Sequence, residues 1–151
     1  VPRMTSATRS SPARLAERVA DVMGTAATRN RFSAVEVSIV HDTERRQLRI
    51  EERAASSAEW VPSRVTPPLD VSAASSLSAA AGPIDLGTGA WRLEFPRSGP
   101  RPSYAVSVRA ADGREFPVVL APTATVAVMG ADAELGASTD LDAVGRGRDP
   151  W

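Results

Sequence analysis

Alternation of apolar and polar residues between positions 90 and 129 constrains this fold more than any other feature of the chain. Residues 91–95 (WRLEF) alternate with the period of two that a half-buried strand requires. Residues 96–102 contain three prolines, which lack the backbone N–H of a strand ladder, so we predict a loop there. The alternation resumes over residues 104–110, and we predict a run of antiparallel strands against which the rest of the chain folds. One face of the second strand carries Tyr104, Val106, Val108 and Ala110.

The dipeptide Asp112-Gly113 is the clearest turn signal in this stretch. Both residue types tolerate positive φ angles, so we predict a type I′ turn that leads into a partner strand at residues 115–120. Residues 125–129 form a further predicted strand. The apolar runs at 118–120 and 126–129 show little alternation, which predicts burial on both faces or against a second copy of the chain.

A helix is predicted near the N-terminus. Ser11 followed by Pro12 is a typical helix start, because serine caps the first backbone N–H groups and proline needs no hydrogen bond there. Gly24 is a fitting stop, although residues 24–31 are compatible with an extension to Arg29 or with a loop. We expect one apolar stripe of this helix to lie on the sheet, with partner binding as the alternative. The stripe consists of Leu15, Val19, Val22 and Met23.

A hairpin is predicted after the helix. Residues 33–41 alternate in the manner of a strand, and residues 47–52 are the expected partner, with a polar turn between them. Trp60 and Val61 allow a further short strand in a region that prolines interrupt.

A second, short helix is predicted over residues 71–81. Asp70 is typical of an N-cap, alanine is abundant, and Gly82 is a natural end. Four serines lower the helix propensity of this segment, so an irregular loop is the alternative.

These elements predict an α+β fold. We expect an antiparallel sheet or open barrel of about five to seven strands, with the N-terminal helix and the second short helix packed on it. Residues 12–135 form the single predicted domain. Residues 1–11 are predicted to be a flexible arm, of which residues 1–3 are either native or derived from a tag, and residues 136–151 a flexible tail.

Charge balance and missing residue types exclude several classes of function for this chain. The 18 basic and 18 acidic residues cancel, which argues against a nucleic-acid binder that relies on a basic surface. Every basic residue is arginine, so neither a Schiff-base lysine nor a phosphate-loop lysine exists. The absence of cysteine excludes thiol chemistry, and the single histidine excludes a multi-histidine zinc site. We predict no metal and no cofactor.

The sequence also limits the partners. No apolar stretch approaches the roughly 20 residues that cross a bilayer, and no signal peptide is recognisable. We therefore expect a soluble protein without a membrane partner, for which the cytoplasm is favoured and the compartment is otherwise undetermined. A nucleic-acid partner is disfavoured.

His41 is the one candidate for a general base, because imidazole is the side chain that ordinarily exchanges protons near neutral pH. Asp42 follows it, but adjacent residues on a strand face opposite sides and do not form a catalytic pair. No G-x-S-x-G motif supplies a serine nucleophile. We interpret His41 as a turn histidine without a catalytic role. The alternative, a small ligand-binding or hydrolytic barrel that uses His41, predicts a pocket lined by this residue.

Large apolar groups mark the candidate binding residues. Trp60 lies among prolines and Trp151 is the last residue, and an exposed indole is costly in water unless it packs in an apolar groove. The same role is predicted for the strand residues Phe116, Val118 and Leu120. We predict a non-catalytic protein-binding or adaptor domain whose partner is a protein, with a second copy of the chain favoured. The alternative is a structural subunit of a larger assembly with ordered terminal arms.

Overall fold

Two antiparallel sheets and one long helix make up the structure, a computed structural model that describes residues 11–55 and 57–129. The predicted α+β class is confirmed. The predicted arm, apart from Ser11, and the predicted tail at 136–151 lie outside the described residues. In the described part of the chain, no helix is both long enough and apolar enough to cross a membrane.

Helix α1 spans Pro12–Phe32 and begins where the sequence predicts. The Ser11 side chain accepts a hydrogen bond from the Arg14 backbone N–H at 3.2 Å. Pro12 occupies the first turn, where its missing N–H leaves nothing unsatisfied. The cap and the proline together fix this end of the helix.

The C-terminal end of α1 differs from one of the two predictions. Gly24 does not end the helix, so the predicted stop is wrong, and the extension that the pattern also allowed is confirmed. The helix continues because Ala26 and Ala27 extend its buried stripe, and burial outweighs the cost of one internal glycine. It ends at Ser33, whose backbone is extended.

Ten strands follow the helix within the described residues. They are β1 (Glu36–Asp42), β2 (Gln47–Arg53), β3 (Val61–Pro62), β4 (Leu69–Asp70), β5 (Ser76–Ala81), β6 (Ile84–Gly87), β7 (Trp91–Phe95), β8 (Tyr104–Arg109), β9 (Glu115–Leu120) and β10 (Val128–Met129). The first sheet has the order β3-β2-β1-β7, with β4 also paired to β2. The second sheet has the order β10-β9-β8-β5-β6. This is more strands, in more sheets, than the single sheet or open barrel that we predicted.

One hydrophobic core joins the helix and both sheets. The predicted inward faces are confirmed: Val37 and Ile39 of β1 are fully buried, as are Val106 and Val108 of β8. Helix α1 contacts β1, β2 and β7 of the first sheet and β8, β9 and β10 of the second. Because the helix spans both sheets, its far end and the chain around β10 meet at one side of the molecule.

The predicted second helix is wrong. Strand β5 occupies the end of that segment and pairs with β8 from Ser76 opposite Arg109 to Ala81 opposite Tyr104. Small residues have only weak local preferences, and pairing with a strongly alternating neighbour decides their conformation.

The predicted central run of strands is correct for β7, β8 and β9, but the strand predicted over residues 125–129 is reduced to Val128–Met129, and the strands do not all pair with one another. Strand β7 pairs with β1 in the first sheet, and β8 and β9 pair with each other in the second. Their connecting turn is not type I′. Gly113 has a φ of 92°, Asp112 is not among the described residues with positive φ, and the Gly113 N–H donates to the Ala110 carbonyl. This is a three-residue loop with the glycine in a bulge.

Candidate functional site

An apolar groove lies between the second half of α1 and residues 124–127, which lead into β10. Its volume is about 560 Å³. One wall is helical, because Ala20, Gly24 and Thr28 recur at intervals of four and therefore share a face. The other wall comes from Thr125, Val126 and Ala127.

A glycine brings the two walls together. A Cβ atom on Gly24 would lie 3.0 Å from the Thr125 carbonyl oxygen, closer than the great majority of real contacts. The missing side chain therefore allows the backbone of this segment to approach the helix. This close approach accounts for a glycine in the middle of α1, where it otherwise weakens a helix.

Arg101 holds the chain just before this wall. Its Nη2 donates hydrogen bonds to the carbonyl oxygens of Ala121 and Ala124, at 2.9 and 2.6 Å. Burial lowers the pKa of Arg101 from its usual value, although a guanidinium keeps its charge in proteins. Two carbonyls fixed by one charged group make a firm backbone support for the groove wall.

The rim of the groove is apolar and exposed. Phe32 is 77% exposed and Val126 is 72% exposed, and both line the groove. Val128, in the adjacent edge strand β10, is 41% exposed. Isolated exposed apolar residues are common, but a cluster of them around a concave surface is typical of an interaction site.

An ion pair anchors the helix beside this groove. The Arg29 Nε donates to a carboxylate oxygen of Glu52 in β2 at 2.8 Å, and a second hydrogen bond measures 3.2 Å. The Arg29 guanidinium lowers the pKa of the Glu52 carboxyl from its usual value. The bidentate geometry fixes the direction of the helix end that carries Phe32.

Trp60, the first predicted binding residue, covers the outer face of the first sheet. Two guanidinium groups lie over its ring, that of Arg53 at 4.3 Å and that of Arg92 at 4.9 Å from the centroid. Beneath it Arg92 donates to Ser38 at 2.7 Å and to Glu51 at 2.9 Å. The indole is half-buried and already has partners inside the chain, so it is less available than the rim of the groove.

The other predicted binding residues lie elsewhere. Val118 and Leu120 are fully buried in the chain's own core, and Phe116 is half-buried next to Arg114. Val119, between Val118 and Leu120, is only partly buried, so the predicted burial of this run on both faces within one chain is wrong, and its alternative, burial against a second copy, stays a prediction. Trp151 lies outside the described residues. The binding role of these residues stays a prediction.

His41 lies inside β1, not in the turn, and it faces the core side of the sheet with 5% exposure. Its Nδ1 is 2.8 Å from the Gly89 carbonyl oxygen, and its ring packs against Trp91 at 5.2 Å. Asp42 points to the other face and pairs with Arg49, so the expectation that the two side chains face opposite sides of the strand is confirmed. A separate cavity of about 170 Å³ opens at His41.

Sequence reasoning missed the groove. Phe32 and Val126 are far apart in the chain, and neither stands in a motif. Val126 was assigned to a strand because it belongs to an apolar run, whereas β10 begins at Val128. The one usable signal was a glycine in the middle of a helical pattern, which marks a close backbone approach when the helix continues past it.

Comparison with protein-family models, with curated proteins and with solved structures finds no match to this chain. The function therefore has to be argued from the geometry alone.

Proposed function

We propose that this chain is a non-catalytic protein-binding domain that associates with a second copy of itself through the groove beside α1. The observation that carries the proposal is the pairing of two highly exposed apolar side chains, Phe32 and Val126, on the rim of one apolar groove. Burying two such side chains on association gains roughly 1.5–3 kcal/mol each before the costs of association are counted.

The form of the groove supports a protein partner over a small ligand. Its lining residues include two charged groups, Asp21 and Arg29, and Arg29 is already paired with Glu52. A small ligand that needs orientation by several polar groups gains little here. An apolar side chain or a short apolar segment gains most.

A second copy is the partner that the chain favours. The net charge of zero gives no long-range repulsion between copies. An interface that two copies form with the same patch is symmetric, so Phe32 and Val126 of each copy face the apolar groove of the other. β10 lies next to this patch and is an edge strand among the described residues, so its outer backbone groups are placed to supply hydrogen bonds to the same neighbour.

Light scattering over a wide concentration range tests the proposal. The wild-type mass should rise toward that of a dimer, and the double variant Phe32→Ser, Val126→Ser should remain a monomer. The matched control is Val65→Ser, Ile84→Ser, which removes two other exposed apolar groups, 69% and 61% exposed, away from the groove. It should associate as the wild type does.

Two results would contradict the proposal. One is a wild-type protein that stays monomeric at every concentration. The other is a groove variant that associates like the wild type. If that second result is joined by dissociation on truncation after Gly136, the assembly instead depends on the terminal segment, as in a structural subunit with ordered arms.

A further inference from the structure

The cavity at His41 has a different chemistry from the apolar groove. It lies where the β1–β2 hairpin meets the segment that precedes β5, and residue 88 closes it. Its volume of about 170 Å³ is below the usual range for drug-sized ligands and suits a molecule of a few heavy atoms. Five hydroxyl side chains line it: Thr43, Ser72, Ser75, Ser76 and Thr88.

His41 brings a buried nitrogen to this cavity. The ring is 5% exposed and its Nδ1 faces a backbone carbonyl, which only accepts, so Nδ1 carries the proton. Nε2 makes no hydrogen bond with any described residue, and it is not among the fully enclosed side-chain atoms that lack a partner. Nε2 is therefore the ring nitrogen left for a ligand in the cavity that His41 lines.

Arg46 supplies the positive charge. It also lines the cavity, and it makes no ion pair with a described residue, unlike Arg49 nearby. Its φ of 54° places it in the left-handed region, and its carbonyl accepts a hydrogen bond from the Val71 N–H at 2.8 Å. A non-glycine residue in this conformation is held there by its surroundings.

The lining determines the class of ligand. The lining residues include one arginine, one histidine and five residues with hydroxyl side chains, and none of the described lining residues carries a carboxylate. Carboxylates are the ligands that a hard cation needs, so a metal ion is disfavoured. Guanidinium and hydroxyl groups are the usual partners of phosphate and carboxylate oxygens.

We propose that this cavity binds a small oxyanion, with Arg46 as the charged contact and His41 Nε2 as the buried polar contact. The site is separate from the groove beside α1 and does not depend on self-association. A neutral His41 ring accepts a hydrogen bond from a protonated ligand oxygen, and a charged ring donates one.

Nuclear magnetic resonance of the imidazole tests the proposal, because the chain contains one histidine and untagged protein gives one assignable ring signal. Inorganic phosphate and acetate are titrated separately into the full chain at constant ionic strength set with chloride. The His41 signals should shift and saturate at millimolar concentration. Tighter binding of phosphate indicates a site for tetrahedral oxyanions, and tighter binding of acetate indicates a site for carboxylates.

Two variants of the hairpin turn provide the control. Arg46→Asn removes the charge with a residue that tolerates the left-handed backbone, and it should weaken binding roughly tenfold, the loss of one charge-assisted hydrogen bond. Arg45→Asn removes an equal charge from the neighbouring residue, which does not line the cavity, and should bind as the wild type does. Absence of a saturable shift with both anions overturns the proposal, and so does equal weakening in the two variants.

Discussion

The buried carboxylate Glu51 offers the sharpest test of how the first sheet is held together. Its side chain is 8% exposed and lies on the outer face of the sheet beneath Trp60. One oxygen accepts from Arg49 Nε at 2.8 Å and the other accepts from Arg92 at 2.9 Å. Glu51→Gln keeps the shape of the side chain but turns one acceptor into an NH₂ group that faces a guanidinium.

The expected loss of stability depends on the hydrogen bonds that Arg49 and Arg92 keep in the variant. Removing one charge-assisted hydrogen bond typically costs about 1.5–3 kcal/mol, and breaking a buried ion pair costs about 3–5 kcal/mol. Here Arg49 keeps Asp42 at 2.8 Å and Arg92 keeps Ser38 at 2.7 Å. Because neither arginine is left without an acceptor, we expect the free energy of unfolding to fall by about 2 kcal/mol.

Urea denaturation followed by tryptophan fluorescence measures this loss as a lower midpoint with an unchanged slope. Glu115→Gln is the matched control. Glu115 also pairs with an arginine on the neighbouring strand, Arg109, but this pair lies on an exposed surface. Its effect should be much smaller, because water screens exposed pairs. Equal effects of the two substitutions, or a Glu51 variant as stable as the wild type, would refute the reasoning.

Three further perturbations have defined outcomes. The Arg29 guanidinium lowers the pKa of Glu52, so this pair stabilises the fold above the usual carboxyl range and loses its effect as the pH falls through the lowered pKa. When the free energy of unfolding is measured against pH, Glu52→Gln should therefore show a smaller loss of stability at acid pH than the wild type. An equal loss in the two proteins contradicts this. Burial raises the pKa of Tyr104, so the unfolded chain ionises first and the folded state loses stability as the pH rises. Tyr104→Phe should therefore lose less free energy of unfolding at alkaline pH than the wild type. A loss as steep as in the wild type contradicts this. Gly113 has a φ of 92° with open space around it, so only the backbone conformation opposes a side chain there. In urea denaturation Gly113→Ala should lower the free energy of unfolding by about 1–2 kcal/mol, and Gly113→Asn should lower it less. An alanine variant as stable as the wild type contradicts this.

Local patterns predicted the elements with the strongest alternation. The hairpin of β1 and β2 and the strands β7, β8 and β9 all stand close to their predicted places, because the alternation of apolar and polar residues is a property of each segment alone. The inward faces followed from the same period. His41 and Asp42 point to opposite faces for this reason as well.

Strand pairings between distant parts of the chain could not be predicted from the sequence. Strand β7 pairs with β1 and not with β8, which divides a continuous run of strands between two sheets. Residues 76–81 became a strand only because β8 offers an edge to them. Neither pairing is marked by a local sequence pattern, since both depend on which strand lies nearby once the core forms.

The candidate sites were the least predictable part. The groove combines Phe32 with Val126, and the cavity combines His41 with Arg46 and with hydroxyl groups that follow β4. Each set comes together only through the tertiary fold. The prediction of a pocket at His41, made as an alternative, rested on the presence of a single histidine and not on any pattern that placed the cavity.

Amide chemical shifts recorded by nuclear magnetic resonance during dilution test the central claim most directly. If two copies meet through the groove, the concentration-dependent shifts should cluster at residues 20–33 and 124–129, and Phe32→Ser should abolish them. Shifts that centre on Val65 or Ile84, or spectra that do not change on dilution, would contradict association through this surface.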